Sequence, residues 1–142
     1  MLKNIPSILT PELLKVLMEM GHSDEIVLAD GNFPRNAHPE RVIRLDGHGI
    51  PEILDAILQF MPLDTYVEHP TILMKVMDGD PYVPEIWEEY RRIAAKHEEL
   101  GARELPIDRF EFYERARKAY AVVTTSETAL YANIILKKGV VT

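Results

Sequence analysis

Short apolar runs alternate with segments of helical periodicity along this chain, and that alternation restricts its possible folds more than any other feature. Three runs, residues 25–29, 42–45 and 71–77, have the length and apolar content of buried strands. Two further segments, 120–124 and 130–136, are rich in β-branched and other apolar residues. Prolines and glycines separate these units. The pattern predicts strands and helices in alternation, which is typical of α/β proteins.

Four helix starts are marked by a proline or by a capping side chain. The predicted starts are Thr10-Pro11, Pro51, Pro84 and Asp108. Apolar residues recur at helical spacing after the first start, until Gly21. Gly21 and Gly101 are predicted to end the first and third helices, because glycine is common just beyond a helix.

The last two predicted strands are close together in the sequence. They are separated by about six residues, far fewer than the dozen or more that a parallel crossover needs, so we expect them to be antiparallel if they pair. The sequence therefore predicts an α/β fold with a mixed β-sheet flanked by helices on both faces. A chain of 142 residues fits one three-layer domain, spanning residues 1–142.

Charge and composition exclude several classes of protein. The formal net charge of −7 argues against binding to the phosphates of nucleic acids. The chain has no cysteine, which excludes disulfides, thiolate metal sites and a cysteine nucleophile. No apolar run approaches the roughly 20 residues of a membrane span, and the N-terminus has no apolar stretch of signal-peptide length. We therefore expect a soluble, cytoplasmic protein without nucleic-acid or membrane partners.

Two polar residues flank the first predicted strand. His22 follows the end of the first helix, and Asp30 comes directly after the strand. Ligands of open α/β sheets gather beyond the carboxyl ends of strands, and Asp30 occupies such a position. Both residues also have a structural interpretation, in which His22 is a solvent-exposed loop histidine and Asp30 caps a turn.

Further candidates lie late in the chain. Arg109, at the start of the fourth helix, suits either a polar ligand or the protein surface. Asn133 follows Tyr131-Ala132 and offers both a donor and an acceptor, which suits a sugar hydroxyl or a turn. The five histidines show no metal-ligand spacing, so no metal site is predicted.

None of the standard catalytic motifs is present. The sequence lacks a phosphate-binding glycine loop, a Gly-x-Ser-x-Gly motif and a pair of zinc-binding histidines on a helix. We therefore expect no cofactor. Acid–base catalysis by side chains and simple binding are the two remaining classes of function.

Several motifs in a fixed order resemble a known family. They are Pro11-Glu12-Leu13-Leu14, Met20-Gly21-His22, Asp30 with Phe33-Pro34, Asp46-Gly47, Arg109-Phe110, and Ser126-Glu127-Thr128-Ala129-Leu130-Tyr131-Ala132-Asn133-Ile134. Through these motifs, nearly the whole chain resembles the fucose mutarotase / ribose pyranase family.

The resemblance implies a cofactor-free sugar mutarotase that acts on free reducing monosaccharides. By this resemblance His22 is the acid/base residue, while Asp30, Arg109 and the segment Tyr131-Ala132-Asn133 line the sugar site. Histidine suits the first role because its ordinary pKa lies near neutral pH, and Asp30 is expected to hold either the His22 imidazole or a sugar hydroxyl. The resemblance also implies self-association into a ring, often a decamer, with the site near a subunit boundary.

The alternatives differ in the sugar or in whether the protein is catalytic. Arg109 with Phe110 favours the fucose branch, so the expected reaction is interconversion of the α and β anomers of L-fucose. A D-ribose pyranase, which interconverts pyranose and furanose forms, is the first alternative. A non-catalytic sugar-binding subunit of a ring is the second.

Overall fold

The computed structural model describes residues 1–142 and contains four α-helices and six strands. The helices are α1 Pro11–Glu19, α2 Ile50–Leu58, α3 Glu85–His97 and α4 Arg109–Arg117. The strands are β1 Glu25–Ala29, β2 Val42–Leu45, β3 Thr71–Met74, β4 Glu104–Ile107, β5 Ala121–Thr125 and β6 Ile134–Lys137. None of the helices has both the length and the apolar character needed to cross a membrane.

The predicted helix starts are confirmed to within one residue. The Thr10 hydroxyl accepts a hydrogen bond from the Leu13 N–H (3.2 Å), and Asp108 accepts one from the Phe110 N–H (3.1 Å). These side chains satisfy backbone donors that the first turn of a helix leaves free. The second helix begins at Ile50, one residue before the predicted start at Pro51.

All six strands form one mixed sheet, as predicted, in the order β2-β5-β1-β6-β3-β4. Five strands run parallel to one another, and β6 is antiparallel to its neighbours β1 and β3. The strands β5 and β6 run in opposite directions but do not pair, because β1 lies between them. Their short connection therefore spans one strand instead of forming a hairpin.

Two strand predictions need correction, and one strand was missed. The strand predicted for residues 71–77 ends at Met74, and the one predicted for 130–136 begins only at Ile134. Strand β4 was not predicted; it contains Pro106, a residue that is unfavourable within a sheet. It is accommodated because β4 lies at the edge, where a missing N–H leaves no neighbouring strand without its donor.

Helices cover both faces of the sheet, as predicted, and alternate strand residues point to the two faces. The larger core lies between the sheet and α1, α2 and α3; the smaller core lies beneath α4. Within β1, for example, Ile26 and Leu28 belong to the larger core and Val27 and Ala29 to the smaller one.

The shared direction of five strands gives the sheet two chemically distinct ends. We call the end beyond Ala29, Met74 and Ile107 the carboxyl edge, and the start of β6 also lies there. We call the opposite end, which contains Glu25 and the end of β6, the amino edge.

Candidate functional site

Asp30 and Asn133 form the centre of the carboxyl edge. The Asp30 N–H donates to Asn133 Oδ1 (2.7 Å), and Asn133 Nδ2 donates to Asp30 Oδ2 (3.1 Å). The Asn32 N–H donates to Asp30 Oδ1 (2.9 Å). Each carboxylate oxygen can accept a further bond, so the Asp30 side chain is fixed in position and can still bind a hydroxyl.

Burial determines the acidity of Asp30. Desolvation raises the pKa of this carboxyl above its ordinary value, and the negative charge of Glu127 acts in the same direction. The hydrogen bonds from Asn32 and Asn133 oppose the rise without cancelling it. The structure therefore places a carboxyl with a raised pKa at the carboxyl edge.

The segment Tyr131-Ala132-Asn133 is held in place by helix α3. Trp87 Nε1 donates to the Tyr131 carbonyl (2.8 Å), and the Tyr90 hydroxyl donates to the Ala132 carbonyl (2.6 Å). Tyr131 has a φ of 57°, a left-handed conformation that is uncommon for a residue with a side chain. These two bonds hold the segment in this turn and direct Asn133 towards Asp30.

The Tyr131 side chain contacts the exposed loop after β3. Its hydroxyl donates to Asp80 Oδ2 (2.6 Å) and accepts from the Met77 N–H (3.3 Å), while its ring stacks on Tyr82 at 6.0 Å between centroids. The bond to Asp80 raises the pKa of the Tyr131 phenol. The phenol is therefore neutral at physiological pH and ties this loop to the carboxyl edge.

Arg109 lies beside a cavity of about 260 Å³ at the same edge. The cavity is lined by Lys75, Val76, Met77, Asp78, Asp108, Arg109 and Phe110. The half-buried guanidinium lies 4.7 Å from the centre of the Phe110 ring. Drug-sized ligands occupy pockets of about 300–1,000 Å³, so this smaller cavity suits a monosaccharide. Asp78 and Asp108 supply acceptors next to the donors of Arg109 and Lys75.

Aromatic side chains lie between Arg109 and Asp30. Tyr113 lies 5.7 Å from Phe33 and 6.4 Å from Phe110, measured between ring centroids. Burial raises the pKa of the Tyr113 phenol; the Arg109 charge opposes the rise and the Asp30 charge adds to it. The pKa of Tyr113 therefore depends on both charged groups, and its apolar ring lies beside them.

His22 lies at the amino edge, away from the other candidate residues. Its Nε2 is 3.0 Å from Asp64 Oδ1, and its ring lies 5.2 Å from the Tyr66 ring. Asp64 is held at this edge by its backbone N–H, which donates a hydrogen bond to the carbonyl of Lys137 at the end of β6. The His22 side chain remains 40% exposed, whereas the Asp64 side chain is 1% exposed.

The full length of β1 separates His22 from Asp30. Five strand residues extend about 16 Å at roughly 3.3 Å each, whereas proton transfer needs partners within about 2.6–3.2 Å or one bridging water. One copy of the chain therefore brings Asp30, Arg109, Tyr131, Ala132 and Asn133 to the same edge and leaves His22 at the other. Within one chain, the carboxylate that contacts the imidazole is Asp64, not Asp30.

The remaining histidines have other partners. His48 Nδ1 is 3.0 Å from Glu52 at the carboxyl edge, His69 contacts the Arg103 carbonyl, and His97 Nε2 is 2.6 Å from Asp55. His38 stacks on Phe33. No three side chains among His, Asp and Glu converge in an arrangement that could hold a metal ion.

Three residues of interest were not found from the sequence. Asp64 contacts a residue 42 positions away, and no local pattern marks such a contact. Asp80 follows Asp78-Gly79 and looks like part of an ordinary turn. Tyr113 lies four residues after Arg109, so its neighbourhood was marked although its position between Arg109 and Asp30 was not.

Comparisons with known proteins agree with the resemblance. The model of the RbsD / FucU transport protein family matches residues 3–141. Fucose mutarotase from Homo sapiens is 50% identical over 145 residues, covering 98% of this chain and 94% of the human protein. L-fucose mutarotase from Actinobacillus pleuropneumoniae is 46% identical over 140 residues, covering 99% of this chain and 97% of that protein.

A solved structure extends the likeness to three dimensions. The crystal structure of the fucose mutarotase from Streptococcus pneumoniae, in complex with L-fucose, superimposes with a TM-score of 0.93. That protein is 54% identical, and the match covers 99% of this chain and all of that chain. Fold and sequence therefore agree along the whole length.

Proposed function

This chain belongs to the RbsD / FucU family, and from that premise we propose that it interconverts the α and β anomers of L-fucose. The observation that carries the proposal is the match, at 54% identity over 99% of the chain, to a fucose mutarotase that holds L-fucose in its crystal structure. The two other relatives described above are also named for fucose. D-ribose pyranase activity is therefore the less favoured alternative.

The reaction consists of proton transfers around one reversible bond cleavage. A base removes the proton of the anomeric hydroxyl while an acid protonates the ring oxygen, and the bond between C1 and that oxygen breaks to give the open-chain aldehyde. After rotation about C1–C2, the reverse transfers close the ring on the other face of the carbonyl. General acid–base catalysis contributes about 10²–10⁴-fold to such steps.

We propose that the sugar binds at the carboxyl edge. The Asp30 carboxylate would accept a sugar hydroxyl, and Arg109 would donate to another oxygen. Asn133 positions Asp30, and the Tyr131-Ala132-Asn133 segment closes the site on the side of β6. Support comes from the cavity beside Arg109 and from the two hydrogen bonds that fix the Asp30–Asn133 pair.

In this proposal, a second copy of the chain supplies the acid/base residue His22. Its exposed imidazole lies too far from Asp30 of the same chain for proton transfer. The amino edge also carries an apolar groove that includes the exposed Met18, Phe60 and Val141. Lys138 lines this groove, and its carbonyl accepts from the Ser23 N–H next to His22. Exposed apolar patches of this kind favour self-association.

We propose that the assembly is a closed ring, with a decamer as the expected size, in the cytoplasm. A ring follows when one surface of each copy meets a different surface of the next and the rotation closes. A groove at the amino edge and a sugar site at the carboxyl edge are two such different surfaces. Native mass spectrometry gives the number of copies, and cell fractionation against a cytosolic marker tests the location.

The activity is tested by anomer exchange at equilibrium. Saturation-difference NMR on L-fucose measures the rate at which the α and β signals exchange, and D-ribose serves as the comparison sugar. We expect the protein to accelerate fucose exchange more than ribose exchange. Faster ribose exchange would favour the pyranase, and binding without acceleration would favour a non-catalytic sugar-binding subunit.

A further inference from the structure

The connection between β5 and β6 is held by one glutamate that lies outside the sugar-binding residues named above. Glu127 is half-buried, and its Oε1 accepts a hydrogen bond from the Ile50 N–H (3.0 Å). Its Oε2 accepts from the N–H groups of Thr128 (3.0 Å) and Ala129 (3.1 Å). One carboxylate therefore joins the start of α2 to the connection that leads to Tyr131-Ala132-Asn133.

The backbone of Glu127 bonds to the chain around Asp30. Its carbonyl accepts from the Gly31 N–H (2.9 Å). A Cβ atom at position 31 would lie 3.3 Å from that carbonyl oxygen, so the two segments approach each other closely. The Glu127 N–H donates to Thr125 Oγ1 (3.1 Å), and the same hydroxyl donates to the Ala29 carbonyl (2.8 Å). The residues on both sides of Asp30 are therefore tied to the connection at Glu127.

The start of α2 depends on this carboxylate because its N-cap residue has no side chain. Gly49 occupies the N-cap position and makes no side-chain hydrogen bond. Side-chain acceptors normally satisfy the free N–H groups of a first helical turn, and Glu127 supplies one from outside the helix. Its negative charge also lies at the positive end of the helix dipole. Charge and acceptor together favour a carboxylate over a neutral side chain at position 127.

We propose that Glu127 is a positioning residue of the sugar site, which fixes Asp30 relative to Asn133 and brings a negative charge to this edge. The inference rests on the proposed function, in which the sugar binds at Asp30. Glu127 acts through the residues that it holds, because its carboxylate already accepts three backbone hydrogen bonds. Loss of Glu127 should therefore weaken fucose binding and leave proton transfer by His22 of the neighbouring copy intact.

The charge of Glu127 acts on two groups of the carboxyl edge. Burial raises the pKa of the Asp30 carboxyl, and the Glu127 charge adds to the rise. Burial also raises the pKa of the Tyr90 phenol, and the Glu127 charge again acts in the same direction. Tyr90 therefore keeps the proton that it donates to the Ala132 carbonyl. The glutamate thus supports both the acceptor that faces the sugar and the donor that holds the neighbouring turn.

The first experiment measures fucose affinity and fucose exchange in Glu127→Gln. The glutamine has the same size, but one of its two polar atoms donates where a carboxylate oxygen accepts, so a backbone N–H loses its acceptor. We expect the dissociation constant for fucose to rise about tenfold, the effect of losing one hydrogen bond to a charged group. Exchange at saturating fucose should stay within about twofold, because a change in binding alone leaves the rate of the bound complex unaltered.

Glu52→Gln is the matched control for this variant. Glu52 is an acidic residue in the first turn of the same helix, where its carboxylate is paired with His48. The substitution removes an equal charge near the start of α2 and breaks none of the bonds of Glu127. We expect its fucose affinity to equal that of the unaltered protein.

The second experiment separates positioning from a purely structural role. Carboxyl ¹³C titration should give a lower Asp30 pKa in Glu127→Gln than in Glu52→Gln, because a neighbouring negative charge is removed. A loss of stability alone would not move this pKa in the folded protein. The proposal is overturned if either the Asp30 pKa or the fucose affinity of Glu127→Gln equals that of Glu52→Gln.

A third variant, Gly49→Ala, displaces the Glu127 carboxylate and keeps its charge. The added Cβ would lie 3.1 Å from Glu127 Oε1, so the carboxylate must move by a few tenths of an ångström. The φ of −88° at Gly49 is suitable for alanine. We expect a loss of fucose affinity smaller than that of Glu127→Gln, with the Asp30 pKa still raised. If Glu127→Gln failed to fold, as judged by amide dispersion, unchanged affinity in Gly49→Ala would overturn the proposal.

The outcomes also separate this role from the proposed function. If the unaltered protein exchanged fucose and Glu127→Gln behaved like Glu52→Gln, the role of Glu127 alone would be overturned. If the unaltered protein neither bound fucose nor exchanged its anomers, the proposed function would fall and the role of Glu127 with it.

Discussion

The two edges of the sheet present polar groups in different ways. At the carboxyl edge, Asp30 and Asn133 belong to a hydrogen-bonded cluster beside a cavity, with Arg109 and Tyr131 nearby. At the amino edge, one histidine rests on one buried carboxylate next to an apolar groove. The first arrangement suits holding a ligand with several hydroxyls, and the second suits moving one proton. In the proposed site, sugar binding and proton transfer therefore lie at separate ends of one chain and meet between copies.

The most direct test of this comparison is to substitute one histidine at each edge of the sheet. We expect His22→Ala to lose about 10²-fold or more of fucose exchange, because general acid–base catalysis is removed. His48→Gln is the matched variant, since His48 lies at the carboxyl edge and is paired with Glu52. We expect it to keep its exchange rate in the saturation-difference measurement. The reverse result would place the proton-transfer group at the same edge as Asp30.

Mixing two inactive variants tests whether the edges of different copies meet. His22→Ala and Asp30→Asn each lack one half of the proposed site. If the subunits are mixed at random, about a quarter of the sites combine an intact His22 with an intact Asp30 of the neighbour. We therefore expect the co-refolded mixture to recover about a quarter of the unaltered exchange rate. Recovery no better than the mean of the two separate variants would mean that each copy builds its own site.

The rigidity of the carboxyl edge depends on Asn133. Asn133→Ala removes both side-chain bonds to Asp30 and leaves a half-buried carboxylate short of a donor, so we expect a loss of about 1–3 kcal/mol in the free energy of unfolding and weaker fucose binding. Asn32→Ala is the control, because Asn32 contacts Asp30 only through its backbone N–H. Denaturant melts and fucose titration should separate the two variants, and equal effects would remove the special role given to Asn133.

A fall in pH should change the contributions of the half-buried Asp30 and the buried Asp64 to stability in opposite directions. The Asp30 pKa is raised, so the favourable contribution of its protonated form is fully present below the unfolded pKa and is lost as pH rises through the folded pKa. The Asp64 pKa is lowered, so its contribution is present above the unfolded pKa and is lost as pH falls through the folded pKa. Carboxyl ¹³C titration should therefore place Asp30 above and Asp64 below an ordinary aspartate. The reverse order would contradict the contrast between the edges.

The elements predicted best from the sequence are those whose signals are local. The first helix and the first strand were found because Thr10-Pro11 marks a start and residues 25–29 form one apolar run. Strand β4, which was missed, contains Pro106, and a proline is acceptable in this strand because it lies at the edge of the sheet. Residues 75–77 continue the apolar character of β3, but the sheet partner of that strand ends at Ile107. Strand pairing, which cannot be seen in the sequence, therefore determines both the place of β4 and the end of β3.

The same distinction between local signals and long-range contacts applies to the candidate site. The positions of Asp30 and Asn133 next to strands were visible in the sequence, although their 103-residue separation hides the bonds between them. The contact between His22 and Asp64 crosses 42 residues and depends on how β6 brings the segment after α2 to the amino edge. Periodicity does not encode contacts of this kind, because they follow from strand order.

The central place of β1 has a consequence for how the protein is made. This strand is synthesised early, but both of its neighbours, β5 and β6, come from the last part of the chain; the bond from Thr125 to Ala29 spans 96 positions. At roughly 5–20 residues per second, a nascent chain carries β1 with two open sides for about 5–20 seconds. During that interval both edges of β1 are free to pair with other chains. The yield of folded protein in the cell should therefore depend on chaperones and on the speed of translation over residues 121–137.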